Sequence, residues 1–179
     1  MPPVGVAIID SGVNPRHPHV TGVVDGRCFV PGEPPANYLD YLGHGTAVAG
    51  AICEKTPDVA LYIAKIFHQQ LVTSIDVLLE AMDWCLRQPV AFINLSLGTP
   101  NEGHREAFVQ RIAQANVRGI RIVAAADTLP GTLPGVISVS WDDTIPRERR
   151  LTPRAAGPAP SPDGRRTKTS TASASPSPT

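Results

Sequence analysis

The sequence predicts a three-layer α/β domain built on a parallel sheet, and three observations carry that expectation. Short continuous apolar runs recur, beginning with Val4-Gly5-Val6-Ala7-Ile8-Ile9, and such runs mark strands covered on both faces. Between them the period turns helical: Ile75, Leu78, Leu79, Met82 and Leu86 fall at i, i+3, i+4, i+7 and i+11, one stripe of an amphipathic helix. After Ile145 the composition breaks. From Leu151 to Thr179 Leu151 is the one large hydrophobe among six Pro, five Ser, five Thr and five Ala, too little apolar surface to offset the entropy of ordering the stretch. The expected organisation is a domain over residues 1–145 and a disordered Pro/Ser/Thr/Ala-rich tail over 146–179.

In chain order, the first strand runs from Val4 to Ile9 and is closed by Asp10, whose carboxylate then sits at the carboxyl end of a buried strand, where open α/β sheets place their sites. Val13 to Asp40 is rich in Pro, Gly, Asn and Asp and reads as surface loop with a short hairpin near Val23 and Phe29. His44-Gly45-Thr46-Ala47-Val48-Ala49-Gly50, continuing to Cys53, is a helix of small residues that presents an imidazole in its first turn and packs its body closely. Val59 to Phe67 is a second buried strand. Thr73, three residues before Asp76, is the expected cap of the striped helix. Val90 to Leu95 is a third strand, ending in Ser96-Leu97-Gly98. Glu102 to Arg118 is a helix with Phe108, Ile112 and Ala115 inward, and Gly119 suits the left-handed cap after it. Ile120 to Ala126 and Val136 to Ser140 complete the strand-helix alternation of a parallel sheet.

At 179 residues the chain has the length of one domain, and 16 Lys plus Arg balance 16 Asp plus Glu, so no net field favours nucleic acid or an anionic membrane. No apolar run approaches the 18 or so residues of a membrane span. The first strand begins at Val4, which leaves no room for a signal peptide or a folding pro-segment, and a cytoplasmic location is expected. Cys28, Cys53 and Cys85 are odd in number and widely spaced, the pattern of reduced, packed thiols.

An Asp at a strand end and a His at a helix start are two members of a Ser-His-Asp set, in which Asp orients the ring and His takes the serine proton. Val6-Ala7-Ile8-Ile9-Asp10-Ser11-Gly12-Val13, then His17-Pro18, then the His44 to Gly50 stretch, then Ile93-Asn94-Leu95-Ser96-Leu97-Gly98 follow one another in a fixed order. From Val4 to Asp143 the chain resembles the subtilisin-like serine proteases, incomplete at the C-terminus, and Asp before His is that family's order. The resemblance implies a serine endopeptidase that uses neither cofactor nor metal and acts on a peptide or protein substrate, with no nucleic acid and no membrane as partner. It assigns Asp10 as the orienting carboxylate and His44 as the general base; His17, His19, His68, His104 and Asn94 read as structural. It assigns Ser96, Leu97 and Gly98 to an edge that pairs backbone to backbone with an extended substrate. Ala47 stands where the family usually has a second His.

Two parts of the family pattern are not matched. After Ala124-Ala125-Ala126 the family has Gly-Asn, whose amide donates to the oxyanion and is worth about 3 kcal/mol in subtilisin; here Asp127-Thr128 follows, and an ionised Asp127 repels such a charge. The serine motif, Gly-Thr-Ser-x-Ala, is missing after His44. Its nearest echo, Ser170-Thr171-Ala172-Ser173-Ala174-Ser175-Pro176, puts Ala172 at the nucleophile. If Ser170 to Thr179 are read one base earlier, TCN serine codons permit His-Gly-Ile-Ser-Phe-Ala-Val-Ala-His, which resembles the serine motif. The expectation is therefore a truncated or frameshifted family member, with an inactive remnant or a non-catalytic peptide-binding module as the alternative. A nucleotide-binding domain is disfavoured, since neither G-x-G-x-x-G nor G-x-x-x-x-G-K-[ST] occurs.

Overall fold

The structure is a computed structural model, and it describes residues 2–140. The expected tail, the domain boundary at 145 and the serine-motif echo lie outside the described residues. The ordered runs form one six-stranded sheet: β1 (Val4–Asp10), β2 (Val23–Cys28), β3 (Val59–Lys65), β4 (Phe92–Leu95), β5 (Arg121–Ala125) and β6 (Val136–Val139). Every pairing is parallel, in the order β2-β3-β1-β4-β5-β6. β1 runs in register with β3 from Val4↔Val59 to Asp10↔Lys65, and with β4 from Val6↔Phe92 to Ile9↔Leu95. The strand order reverses at β1, so its carboxyl end is the switch point where such sheets open a crevice.

The two-residue period of β1 divides the core into two layers of side chains. Val6 and Ile8 join Leu61, Ile63, Ala49 and Cys53 under α1 (His44–Lys55). Ala7 and Ile9 join Tyr62, Ala64, Ile93, Met82 and Phe108 under α2 (Ile75–Leu86) and α3 (Arg105–Val117). Helices thus cover both faces, which gives the three-layer α/β architecture. Each fully buried Ile, Leu or Phe contributes about 1.5–3 kcal/mol.

Gly119 takes φ +71 after α3, as its position predicts. Two local expectations are corrected. α2 is capped by Ser74, whose hydroxyl accepts from the Val77 N–H, because Ser74 and not Thr73 immediately precedes the first helical residue. The hairpin near Val23 and Phe29 does not form. β2 instead adds in parallel to β3 as an edge strand, with an irregularity between Val23 and Asp25, and most of its residues remain exposed or half-exposed. Its partner lies beyond α1 in the chain, so no local turn signal announces the pairing.

Candidate active site

Asp10 ends β1 and is buried (1% exposed), while the His44 ring at the start of α1 is 41% exposed. Asp10 Oδ1 lies 2.7 Å from His44 Nδ1 and also accepts the Ser11 N–H at 2.7 Å; Oδ2 is buried with no hydrogen-bond partner among the described residues. A carboxylate on Nδ1 fixes the tautomer that leaves Nε2 free to accept a proton, and it stabilises the imidazolium that results. The close packing that permits this rests on Gly45, where an added Cβ would stand 2.1 Å from the Gly12 carbonyl oxygen.

The first turn of α1 has no side-chain cap of its own. Gly43 precedes it in the left-handed region (φ 84), and two of the orphan N–H groups of the turn are satisfied by side chains from elsewhere. Gly45 N–H donates to Ser11 Oγ at 2.9 Å, and Thr46 N–H donates to Asp40 Oδ2 at 2.9 Å. Burial raises the Asp40 pKa, but hydrogen bonds from the Thr46 hydroxyl, the Thr46 N–H and the N–H groups of Gly43 and Leu42 outweigh it and hold the carboxyl below its usual value. An anion at a helix N-terminus stabilises by about 0.3–1 kcal/mol, up to about 2 where partly buried. Asp40 is absent from the motifs that mark Asp10 and His44; its signal in the sequence is an acid four residues ahead of His44, before a helix that lacks a capping side chain at Gly43.

Lys65, the last residue of β3, was also unread. It is fully buried, donates from Nζ to the Leu39 carbonyl at 2.7 Å, and lies 4.3 Å from the centroid of the Tyr41 ring. Of the histidines read as structural, His68 meets Glu33 at 3.0 Å and His104 meets the Asn101 amide at 3.1 Å. The three cysteines are free and buried, and burial pushes the thiols of Cys85 and Cys28 up.

Directly after β4, Ser96 and Gly98 are exposed and Leu97 half-buried. The Ser96 hydroxyl accepts from the Asn94 amide at 2.8 Å. Among the described residues the backbones of Leu97 and Gly98 make no hydrogen bond, whereas Thr99 pairs with Leu129 through two bonds of 2.9 and 3.0 Å. Leu97 and Gly98 border a cavity of about 260 Å³ whose apolar wall includes Phe67, Ile75 and Leu78. Asp127 is exposed. Thr128 packs so tightly on Gly98 that a Cβ there would stand 1.8 Å from its hydroxyl oxygen.

A sequence model of the subtilase family, peptidase S8, matches residues 3–172. The chain belongs to the subtilase family. Subtilisin Savinase of Lederbergia lenta is 32% identical over 132 residues, covering 69% of this subtilase chain and 47% of that protein. The alkaline protease of Alkalihalobacillus alcalophilus is likewise 32% identical over 132 residues, 33% of its own length. Human membrane-bound transcription factor site-1 protease is 29% identical over 162 residues, which are 80% of this chain and 15% of that protein. The chain therefore spans a third to a half of the bacterial relatives it matches. Among solved structures, the nisin leader peptidase NisP of Lactococcus lactis superposes with a TM-score of 0.60 at 22% identity, over 69% of this chain and 44% of that one. That likeness concerns the fold.

Proposed function

We propose that this chain carries the acid-base half of a subtilisin-like serine endopeptidase. Asp10 orients His44, His44 Nε2 is the general base, and an extended peptide lies against Ser96, Leu97 and Gly98. The observation that carries the reading is the 2.7 Å approach of His44 Nδ1 to the buried Asp10 carboxylate beside an exposed ring face. The reaction class follows from family membership and from relatives that are proteases. Turnover further requires a serine that His44 can reach. Among the described residues the serine adjoining the dyad is Ser11, and its hydroxyl is engaged with Asp40 and the Gly45 N–H. The nucleophile is thus sought outside residues 2–140, and the neighbouring reading frame of Ser170 to Thr179 is where the serine motif is expected.

Labelling of the purified protein with a fluorophosphonate, beside a His44→Ala variant and a read of the gene, tests this. Labelling that His44→Ala abolishes supports a working protease. No labelling, with a serine motif intact in the neighbouring frame, supports a broken member of the family; loss of a nucleophile of this kind costs about a million-fold in turnover. A second reading, a peptide-binding module without catalysis, draws on the backbone of Leu97 and Gly98, which is unpaired among the described residues. Binding of an extended peptide without cleavage favours it.

A further inference from the structure

Asp10 and His44 come from segments far apart in the chain, and one side chain outside the pair ties those segments together. Asp40 Oδ1 accepts from the Ser11 hydroxyl at 2.9 Å and from the N–H groups of Leu42 and Gly43 at 2.9 and 2.8 Å. Its Oδ2 accepts the N–H and the hydroxyl of Thr46 at 2.9 and 2.6 Å. Ser11 directly follows Asp10, Gly43 directly precedes His44, and Thr46 lies two residues beyond it. Ser11 relays the tie, since its hydroxyl donates to Asp40 and accepts from the Gly45 N–H. All five groups facing Asp40 donate, so a carboxylate satisfies them and an amide cannot: its NH2 would face donors at Thr46. The loop that presents Asp40 is itself fixed from behind. Val13 N–H donates to the Tyr38 carbonyl, Asp40 N–H to the Val13 carbonyl, and buried Lys65 to the Leu39 carbonyl.

We propose that Asp40 is the positioning residue of the dyad: by clamping Ser11 on the strand side to Thr46 on the helix side, it sets the distance and angle at which His44 meets Asp10. This rests on the reading of Asp10 and His44 as an acid-base pair. Asp40 touches neither the ring nor the Asp10 carboxylate, so its action passes through backbone placement.

The test is proton and nitrogen NMR of the full chain labelled at histidine. The proton shared by His44 Nδ1 and Asp10 gives a far-downfield resonance, assigned by its loss in His44→Ala and Asp10→Ala. In Asp40→Asn that resonance moves upfield and exchanges with water roughly tenfold faster, the effect of losing one hydrogen bond to a charged group. Ser11→Ala and Thr46→Val, each of which removes one donor, give smaller shifts in the same direction and serve if Asp40→Asn does not fold. Leu133→Ala, a core truncation outside the network that lowers the melting temperature, leaves the resonance in place. An unchanged resonance in Asp40→Asn, Ser11→Ala and Thr46→Val overturns the proposal, and so does an equal change in Leu133→Ala. Absence of the resonance in the unmodified chain fails the dyad itself, a result distinct from either.

Discussion

Around Asp10 and His44, side chains drawn from β1, the loop before α1 and α1 itself close a network in which nearly every polar atom is paired. After β4, the backbones of Leu97 and Gly98 stand unpaired among the described residues, and the Thr128 side chain lies close against Gly98. The difference fits the two tasks that the proposed function gives these regions. A proton-transfer pair has to be held within tenths of an ångström before anything arrives, so its geometry is prepaid in the fold. An edge that receives a peptide must keep its donors and acceptors open until the peptide supplies their partners.

Substitutions on the two sides separate these designs, beginning with the largest effect. Gly45→Ala puts a Cβ against the Gly12 backbone, which cannot be trimmed away, and should lower stability by about 3 kcal/mol in urea unfolding; a variant as stable as the parent would deny the close approach. Gly98→Ala meets the Thr128 side chain instead. A loss of about 2 kcal/mol is expected, most of it regained in the double variant with Thr128→Gly, and a coupling below about 0.5 kcal/mol would mean the two do not touch.

Two paired comparisons carry smaller effects. Ser11→Ala leaves the Gly45 N–H without an acceptor and should cost about 1.5 kcal/mol, whereas Ser96→Ala, at an exposed hydroxyl, should stay within about 0.5. Acid sharpens the contrast. Because Asp40 is held below its usual 3.8, its stabilisation is complete above that value and drains as pH falls through the lower folded value. The parent should therefore lose stability more steeply than Asp40→Asn below about pH 3.8, a difference that acid titration of the circular dichroism signal measures.

What the sequence disclosed and what it withheld divide along the same lines. β1, β3 and the α2 stripe were legible because their patterns are local: a continuous apolar run, or a repeat of three and four. Asp10 and His44 stood out through adjacent motifs. Asp40 and Lys65 did not, because the contacts that tie the loop to the strand side, Asp40 with Ser11 and Lys65 with Leu39, span more than two dozen residues, and a lone acid in a Pro- and Gly-rich loop or a lone lysine in a strand carries no periodic signal. β2 was misread for the same reason, since an edge strand with exposed polar residues declares its partner only in three dimensions.

The place of β1 in the sheet also bears on how the protein is made. It leads the chain yet occupies the interior of the sheet, meeting Val59 on one side and Phe92 on the other. At roughly 5–20 residues per second of synthesis, the segment Val4–Asp10 waits seconds on the ribosome before β3 and then β4 emerge to cover it. Contacts of such long range also slow the search for the native pairing. Until both partners are made, the strand that delivers Asp10 presents two unpaired edges and an apolar run, the kind of surface that invites misassociation in a growing chain.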